Sequence, residues 1–492
     1  MKTRDVQQGA PDGEAFGRPV TVRAGLFFDG TGNNRVNTRI GADCHAMMEA
    51  NANRHIKACG GRHLEPGSSY SNSPTNIARL AELYPCQVVA GQGSGGLKVY
   101  WPIYVSGAGT TSGGRDSLWP GQSFGRGATG VVAKVEHAFR KLETLMKTFA
   151  QDNPGCVIDA LEFDIFGFSR GAASARHFVN ELLKQGKGAL EPIMRSRKVP
   201  LGKDFGWQRG RVAIKVIGLF DTVAAVGSLK DLGSIRDASN NRVNLYLPEG
   251  CAEHVFHLVA RDECRRNFAL NSIAPVWPRE IVLPGAHSDI GGGYPPQMTE
   301  KVLLTRPRVS LVYRDSPCEA SQAWLKAMAD LQRTDPSRWI DPKDRYASLK
   351  VDCCKALGLG SGSTLGAKSV TAAVCLQRQV FGHLSLVSLR VMHLLAREAG
   401  TPFGRFLDRP DFRLTPELED IADRLMHYAQ SGVYTLNEAQ ERILRWRYIH
   451  SSAHWGTATE SAGGLRDAVF VHAPQAGGRV RHPNASQPGY PH

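Results

Sequence analysis

The stretch that most constrains the fold runs from Leu161 to Arg176, LEFDIFGFSRGAASAR. An apolar, β-rich run ends in Gly-Phe-Ser-Arg-Gly and small helix-forming residues follow at once, so the segment reads as strand, sharp turn and helix. A serine at such a turn sits in strained backbone with its Oγ raised above the sheet. Gly167 and Gly171 let strand and helix approach without a Cβ between them. Ser169 is therefore the candidate nucleophile. Gly-x-Ser-x-Gly arises readily by chance in a chain with 52 glycines, so the weight rests on its position after a buried strand.

Composition narrows the class. A chain of 492 residues, 42% hydrophobic and 22% charged, can bury a sizeable core as one large decorated domain or as two to three smaller ones. Met1 to Arg18 contains no apolar stretch, so no secretory signal peptide is expected, and no run of apolar residues is long enough for a transmembrane helix. Ten cysteines without a regular framework fit folding in a reducing compartment. The formal charge of +14 favours an anionic partner. Its basic residues form no stripe and no nucleic-acid module, so acidic lipid is preferred to nucleic acid.

Other strands also end in polar residues. Thr21 to Phe28 reads as a strand running into Asp29-Gly30-Thr31-Gly32-Asn33-Asn34, whose backbone N–H groups near Gly30 and Thr31 would form half of an oxyanion hole. The N–H of Arg170 would form the other half. No Gly-Lys-Ser/Thr follows, which excludes a phosphate loop. Residues 35–72 read as a loop excursion, with Cys44, His45, His55, Cys59 and His63 in no compact zinc pattern. Ile77 to Leu83 is a capped framework helix. Val99 to Val105 is a strand confined to an edge by Pro102, and 107–127 is a glycine-rich functional or mobile loop. Helices are expected over 130–149 and 172–184, and a strand over 211–220 delivers Asp221. His254 to Phe268 reads as a helix with a salt-bridged face, and Arg279 to Ala286 as a short strand leading into His287.

Three strands thus end in Ser169, Asp221 and His287, the chain order used by α/β-hydrolases. In a parallel sheet all three converge at one edge. Ester hydrolysis needs a nucleophile, a base, an acid that holds the base in the right tautomer, and oxyanion donors. Asp164 is about 16 Å down the strand from Ser169 and cannot serve as that acid. Asp29 and Asp289 remain open, either as the acid or as supporting residues around the triad. The chemistry requires no cofactor or metal, although a cation beside Asp289 is left open.

Phe27–Asn34, Thr75–Leu80, Gly167–Ala173, Phe220–Val223 and His287–Tyr294 resemble, in this order, the successive motifs of one α/β-hydrolase family. It is the family that includes the first class of type VI secretion lipase effectors, antibacterial phospholipases. The resemblance is close over roughly 22–300 and weaker at Leu389–His393 and Tyr448–Trp455. It implies a phospholipase acting on glycerophospholipid acyl esters with Ser169, Asp221 and His287 as its triad. It further implies delivery from the bacterial cytoplasm to a target cell's periplasm by a contact-dependent machine, with a secretion spike protein and a cognate immunity protein as partners. The alternatives are a housekeeping carboxylesterase on soluble esters and a non-catalytic lipid-binding adaptor on a hydrolase fold.

The expected organisation is a disordered lead-in over 1–20, an α/β-hydrolase catalytic domain over 21–310, a mostly helical accessory or cap region over 311–472 and a disordered tail over 473–492. Within the third region, 357–365 is a Gly/Ser-rich hinge and 380–399 a helix better suited to a core than to a membrane surface. Further helices are expected over 416–429 and 436–448. His450-Ser451-Ser452-Ala453-His454 reads as a helix end and turn, or as a group behind the active site.

Overall fold

Apolar segments with a strand's two-residue burial period build a seven-stranded sheet around which the chain is arranged. The computed structural model describes residues 17–50, 68–91, 96–112, 116, 130–196, 198–207, 210–224, 243–357, 367–456 and 472–486. The lead-in through residue 16, His55, Cys59, His63, most of the 107–127 stretch, nearly all of the 357–365 hinge and the tail beyond 486 fall outside these.

The strands are β1 (Arg18–Phe28), β2 (Gln87–Ala90), β3 (Leu97–Val105), β4 (Cys156–Phe168), β5 (Val212–Phe220), β6 (His254–Ala260), the two-residue β7 (Leu270–Asn271) outside this sheet, and β8 (Glu280–Leu283). Their order is β2-β3-β1-β4-β5-β6-β8. All neighbours are parallel except β2, which runs antiparallel to β3. β3 lies inside the sheet, one place from the edge. Pro102 is nevertheless tolerated because β2 covers only Leu97–Tyr100, so at Pro102 it requires no donor.

Both faces are covered, as parallel sheets require. Helices α1 (Arg35–Ala50), α2 (Asn76–Leu83), α3 (Val131–Asp152) and α4 (Arg170–Leu183) follow the first strands. Leu161, Phe163 and Ile165 of β4 join Phe139 of α3 and Phe178 of α4 in one core, while Phe166 and Phe168 of the same strand turn to the other. That second core holds Ile77 and Leu80 of α2 and the later helices α7 and α8. The chain first passes through α5 (His287–Gly291), β9 (Met298–Leu303), β10 (Arg308–Tyr313) and α6 (Gln322–Gln332). Then come β11 (Ser348–Leu357), β12 (Ala367–Val380), α7 (Leu384–Glu398) and α8 (Pro416–Ser431). Leu389, Val391, Met392 and Leu395 of α7 are all buried, so this helix is core, as its few polar residues suggested.

The structure corrects several expectations. Residues 254–260 form β6, a strand inside the sheet: its Val, Phe and Leu side chains are buried on both faces, and the charges at 261–266 belong to the loop that follows. Residues 35–50 form a helix, α1, rather than a loop. Cys44 is disulfide-bonded. The C-terminal third contains the expected helices, and beside them an antiparallel sheet in which β12 pairs with β9, β10 and β11. Residues 472–486 are ordered: Arg481 and His482 form β13, which pairs with β7. No helix among the described residues is long and apolar enough to cross a membrane.

Candidate active site

The C-terminal ends of β1, β4, β5 and β8 carry Asp29, Ser169, Asp221 and His287 to one edge of the sheet. Ser169 adopts φ 57 and ψ −124, a backbone conformation that costs a side-chain-bearing residue about 1–3 kcal/mol and persists only where its surroundings hold it. It is held by its own N–H donating to Phe220 O at 3.0 Å and by its carbonyl accepting from Ala173 at 3.2 Å. The flanking glycines are required by contact. A Cβ on Gly171 would stand 2.2 Å from Phe28 O and 2.4 Å from Asp29 O, and one on Gly167 would stand 2.5 Å from Gly171 O. Close approach of the α4 N-terminus to the end of β1 thus sets the elbow against the Asp29 loop.

Asp221, also at positive φ (42°), is fully buried and receives four side-chain or backbone donors besides its own main-chain bonds. His287 Nδ1 lies 2.5 Å from its Oδ2, Ala260 N–H donates to Oδ1 at 3.0 Å, and Arg479 donates to Oδ1 at 2.7 Å and to Oδ2 at 2.8 Å. Burial alone would raise the Asp221 carboxyl, but the Arg479 charge and the His287 and Arg479 hydrogen bonds outweigh it and hold the group well below the usual carboxylate range. His287 is 4% exposed and packed between Phe168 and Phe268, with ring centroids 4.7 and 4.9 Å away. Burial lowers its basicity more than Asp221 restores it, so the imidazole is held below its ordinary value and is neutral at pH 7. With Asp221 on Nδ1–H, Nε2 is left as the proton acceptor. No hydrogen bond joins Ser169 Oγ to Nε2 in this structure. Such contacts commonly tighten when substrate binds.

The loop after β1 departs from one expectation. The Gly30 N–H donates to Asp29 Oδ1 at 2.7 Å and is already committed, so it is not available to an oxyanion. Thr31 Oγ1 is shut from solvent with no hydrogen-bond partner. Asp29 is a brace: it also accepts from Thr75 Oγ1 at 2.7 Å and from Tyr104 OH at 2.5 Å, and burial raises its carboxyl. Thr75, the N-cap of α2, therefore serves both the helix and the loop. Asp289 is likewise spent. Ala286 N–H and His450 N–H donate to Oδ2 at 2.9 and 3.0 Å, and His450 Nδ1 lies 2.7 Å from Oδ1, so a cation would have to displace these donors. Among the described residues no cluster of metal-ligating side chains is found.

Sequence reasoning missed Glu263, Arg265 and Arg479. Glu263 accepts from His287 N–H at 3.3 Å and from Ser452 Oγ at 3.1 Å. Burial would raise its carboxyl, but Arg265 at 2.7 Å brings it down to about 2. The His450–Ser452 turn thus lies directly behind the His287 loop. Nothing local marks the contacts of Glu263 with Ser452 or of Arg479 with Asp221, because each joins segments far apart in the chain.

A mostly parallel sheet with helices on both faces and its functional side chains at the C-terminal edge defines an α/β-hydrolase-like fold. Residues 191–314, a stretch that includes Asp221 and His287 and begins after Ser169, match the family described as T6SS, Phospholipase effector Tle1-like, catalytic domain. The solved structure of the Tle1 effector bound to the VgrG spike from the Type 6 secretion system is 28% identical, with a TM-score of 0.69, covering 98% of this chain and 97% of that one. A crystal structure of an uncharacterized protein from Pseudomonas aeruginosa is 19% identical with a TM-score of 0.34, over 86% of this chain and 52% of that one, a likeness too slight to bear on the fold. No curated protein matches. The first two findings agree on one family, the Tle1-like phospholipase effectors of the type VI secretion system, and support the resemblance read from the sequence.

Proposed function

We propose that this protein is a serine hydrolase that cleaves acyl esters of membrane glycerophospholipids. The observation that carries the proposal is the His287–Asp221 contact of 2.5 Å placed at the same sheet edge as a serine held in strained backbone. His287 Nε2 takes the Ser169 proton as Oγ attacks the ester carbonyl carbon, and Asp221 stabilises the imidazolium. Arg170 and Thr31 receive the oxyanion. His287 then returns the proton to the departing alkoxide, the lysophospholipid leaves, and water activated by His287 hydrolyses the acyl-serine.

The net charge of +14 supports attraction to acidic lipid surfaces. Likeness to an effector solved on its secretion spike supports delivery by a type VI apparatus with a spike protein as partner; a cognate immunity protein and the target cell's periplasm as destination rest on the family resemblance alone. The deciding assay is fatty-acid release from mixed phospholipid vesicles by the wild type and Ser169→Ala at equal folded concentration. The expected loss is about a millionfold. Cleavage of soluble esters without release from vesicles would make the protein a general esterase, and activity retained by Ser169→Ala would end the serine mechanism.

A further inference from the structure

The C-terminal segment is pinned at both ends. At its start Arg266 N–H donates to Ala473 O at 2.9 Å and Pro474 bridges Arg265. At its end the buried Asn484 accepts from Leu247 N–H and from Arg176, both at 3.0 Å, and donates to Leu247 O at 2.8 Å. Between these anchors Arg479 turns inward. Its Nε donates to Phe268 O at 2.7 Å and its two Nη atoms take both oxygens of Asp221, with side-chain exposure of 8% for the guanidinium and 0% for the carboxylate.

A strap that needed only to be held down would be served by the Asn484 and Ala473 contacts. Placing a desolvated guanidinium on the carboxylate that serves the base does something different. A bidentate pair fixes the plane of the carboxylate, and with it the direction from which Oδ2 meets His287 Nδ1. It also divides the carboxylate's charge between a permanent cation and the imidazole. We propose that Arg479 is a positioning residue of the triad, and that the 472–486 segment is a strap that completes the active site by setting how strongly Asp221 acts on His287. This rests on the serine-hydrolase reading above.

The other charges facing His287 are balanced without Arg479. Glu263, which accepts from the His287 N–H, is paired with Arg265, whose guanidinium lies over the Phe268 ring. His472, beyond Arg265, is lowered to about 4 by partial desolvation and that arginine and is neutral, although the residue as a whole is solvent-exposed. His454, beside His472, is likewise lowered by burial. Asp289, on the same short helix as His287, is turned to Ala286 and His450. Removal of Arg479 therefore leaves Asp221 as the uncompensated charge beside the imidazole and strengthens its hold on the imidazolium.

The test is the pH dependence of kcat/KM on a neutral chromogenic ester for the full chain, comparing the wild type with Arg479→Gln, Arg479→Lys and Ser169→Ala. Arg479→Gln is expected to move the acid limb upward by roughly one pH unit, the size of a neighbouring-charge effect. Arg479→Lys, which keeps the charge but not the fork, is expected to move it by less. A purely structural strap would lower folded yield or activity without moving the limb, so an unmoved limb in folded Arg479→Gln overturns the proposal. If that variant does not fold, the Lys variant decides: an upward shift supports the proposal and none overturns it. Activity in Ser169→Ala would instead overturn the serine-hydrolase reading, whatever the Arg479 variants do.

Discussion

Gly171→Ala tests whether the site is assembled by backbone approach. In an ordinary helix the change would stabilise by about 1 kcal/mol, since glycine is the more flexible residue. Here the added Cβ meets Phe28 O at 2.2 Å and Asp29 O at 2.4 Å, both main-chain atoms that no rotamer change can move. Reaching an acceptable contact requires about 1 Å of separation between the α4 N-terminus and the end of β1. Overpacking of that kind costs about 1–3 kcal/mol. Because the same approach sets Ser169 against the Thr31 loop, a displacement of about 1 Å is expected to lower kcat/KM about a hundredfold per folded molecule. Gly186→Ala is the control, with nothing within 4 Å of the added Cβ and no change expected in activity. Denaturant unfolding and ester hydrolysis, measured on both variants, read the two effects. A Gly171→Ala protein as stable and active as wild type would refute the close-approach argument.

Further outcomes follow from the buried charges. Because burial holds His287 below the ordinary histidine value, the base stays neutral and competent at pH 7 and is lost only as pH falls through the lowered value, so the acid limb of kcat/KM is expected below pH 6.5. A limb above that value would contradict the packing between Phe168 and Phe268. Asp164, bonded to Arg23 at 2.7 and 2.8 Å and to Tyr84 OH at 2.9 Å, is a framework charge. Asp164→Ala strands a buried guanidinium and is expected to cost about 3–5 kcal/mol in denaturant unfolding with kcat per folded molecule unchanged.

The strands that carry the site were legible wherever a segment's burial pattern is local. β1, β4 and β5 are apolar runs that stop at a polar residue, and β8 leads through a short Pro-Gly-Ala turn to His287, so Ser169, Asp221 and His287 could be picked out before any contact was known. His254–Ala260 was misread because charges at 261–266 suggested a helix face, while burial on both faces of a strand inside the sheet removes the alternation that marks a strand. β9 and β10 escaped for a related reason: both pair antiparallel with β12, which lies far on in the chain, and each strand alone resembles a loop or linker.

The sequence by itself determined the elbow, the order of nucleophile, acid and base, and the strand ends that present them, because each depends on residues within a few positions of one another. Tertiary structure alone decided what surrounds them: that Thr75 and Tyr104 brace Asp29, that His450 holds Asp289, and that Arg479, in a stretch whose composition suggested disorder, grips Asp221. The physical reason is that a glycine- and arginine-rich tail has too little apolar area to order itself. It is ordered by hydrogen bonds and a buried ion pair whose partners lie more than two hundred residues away in the chain.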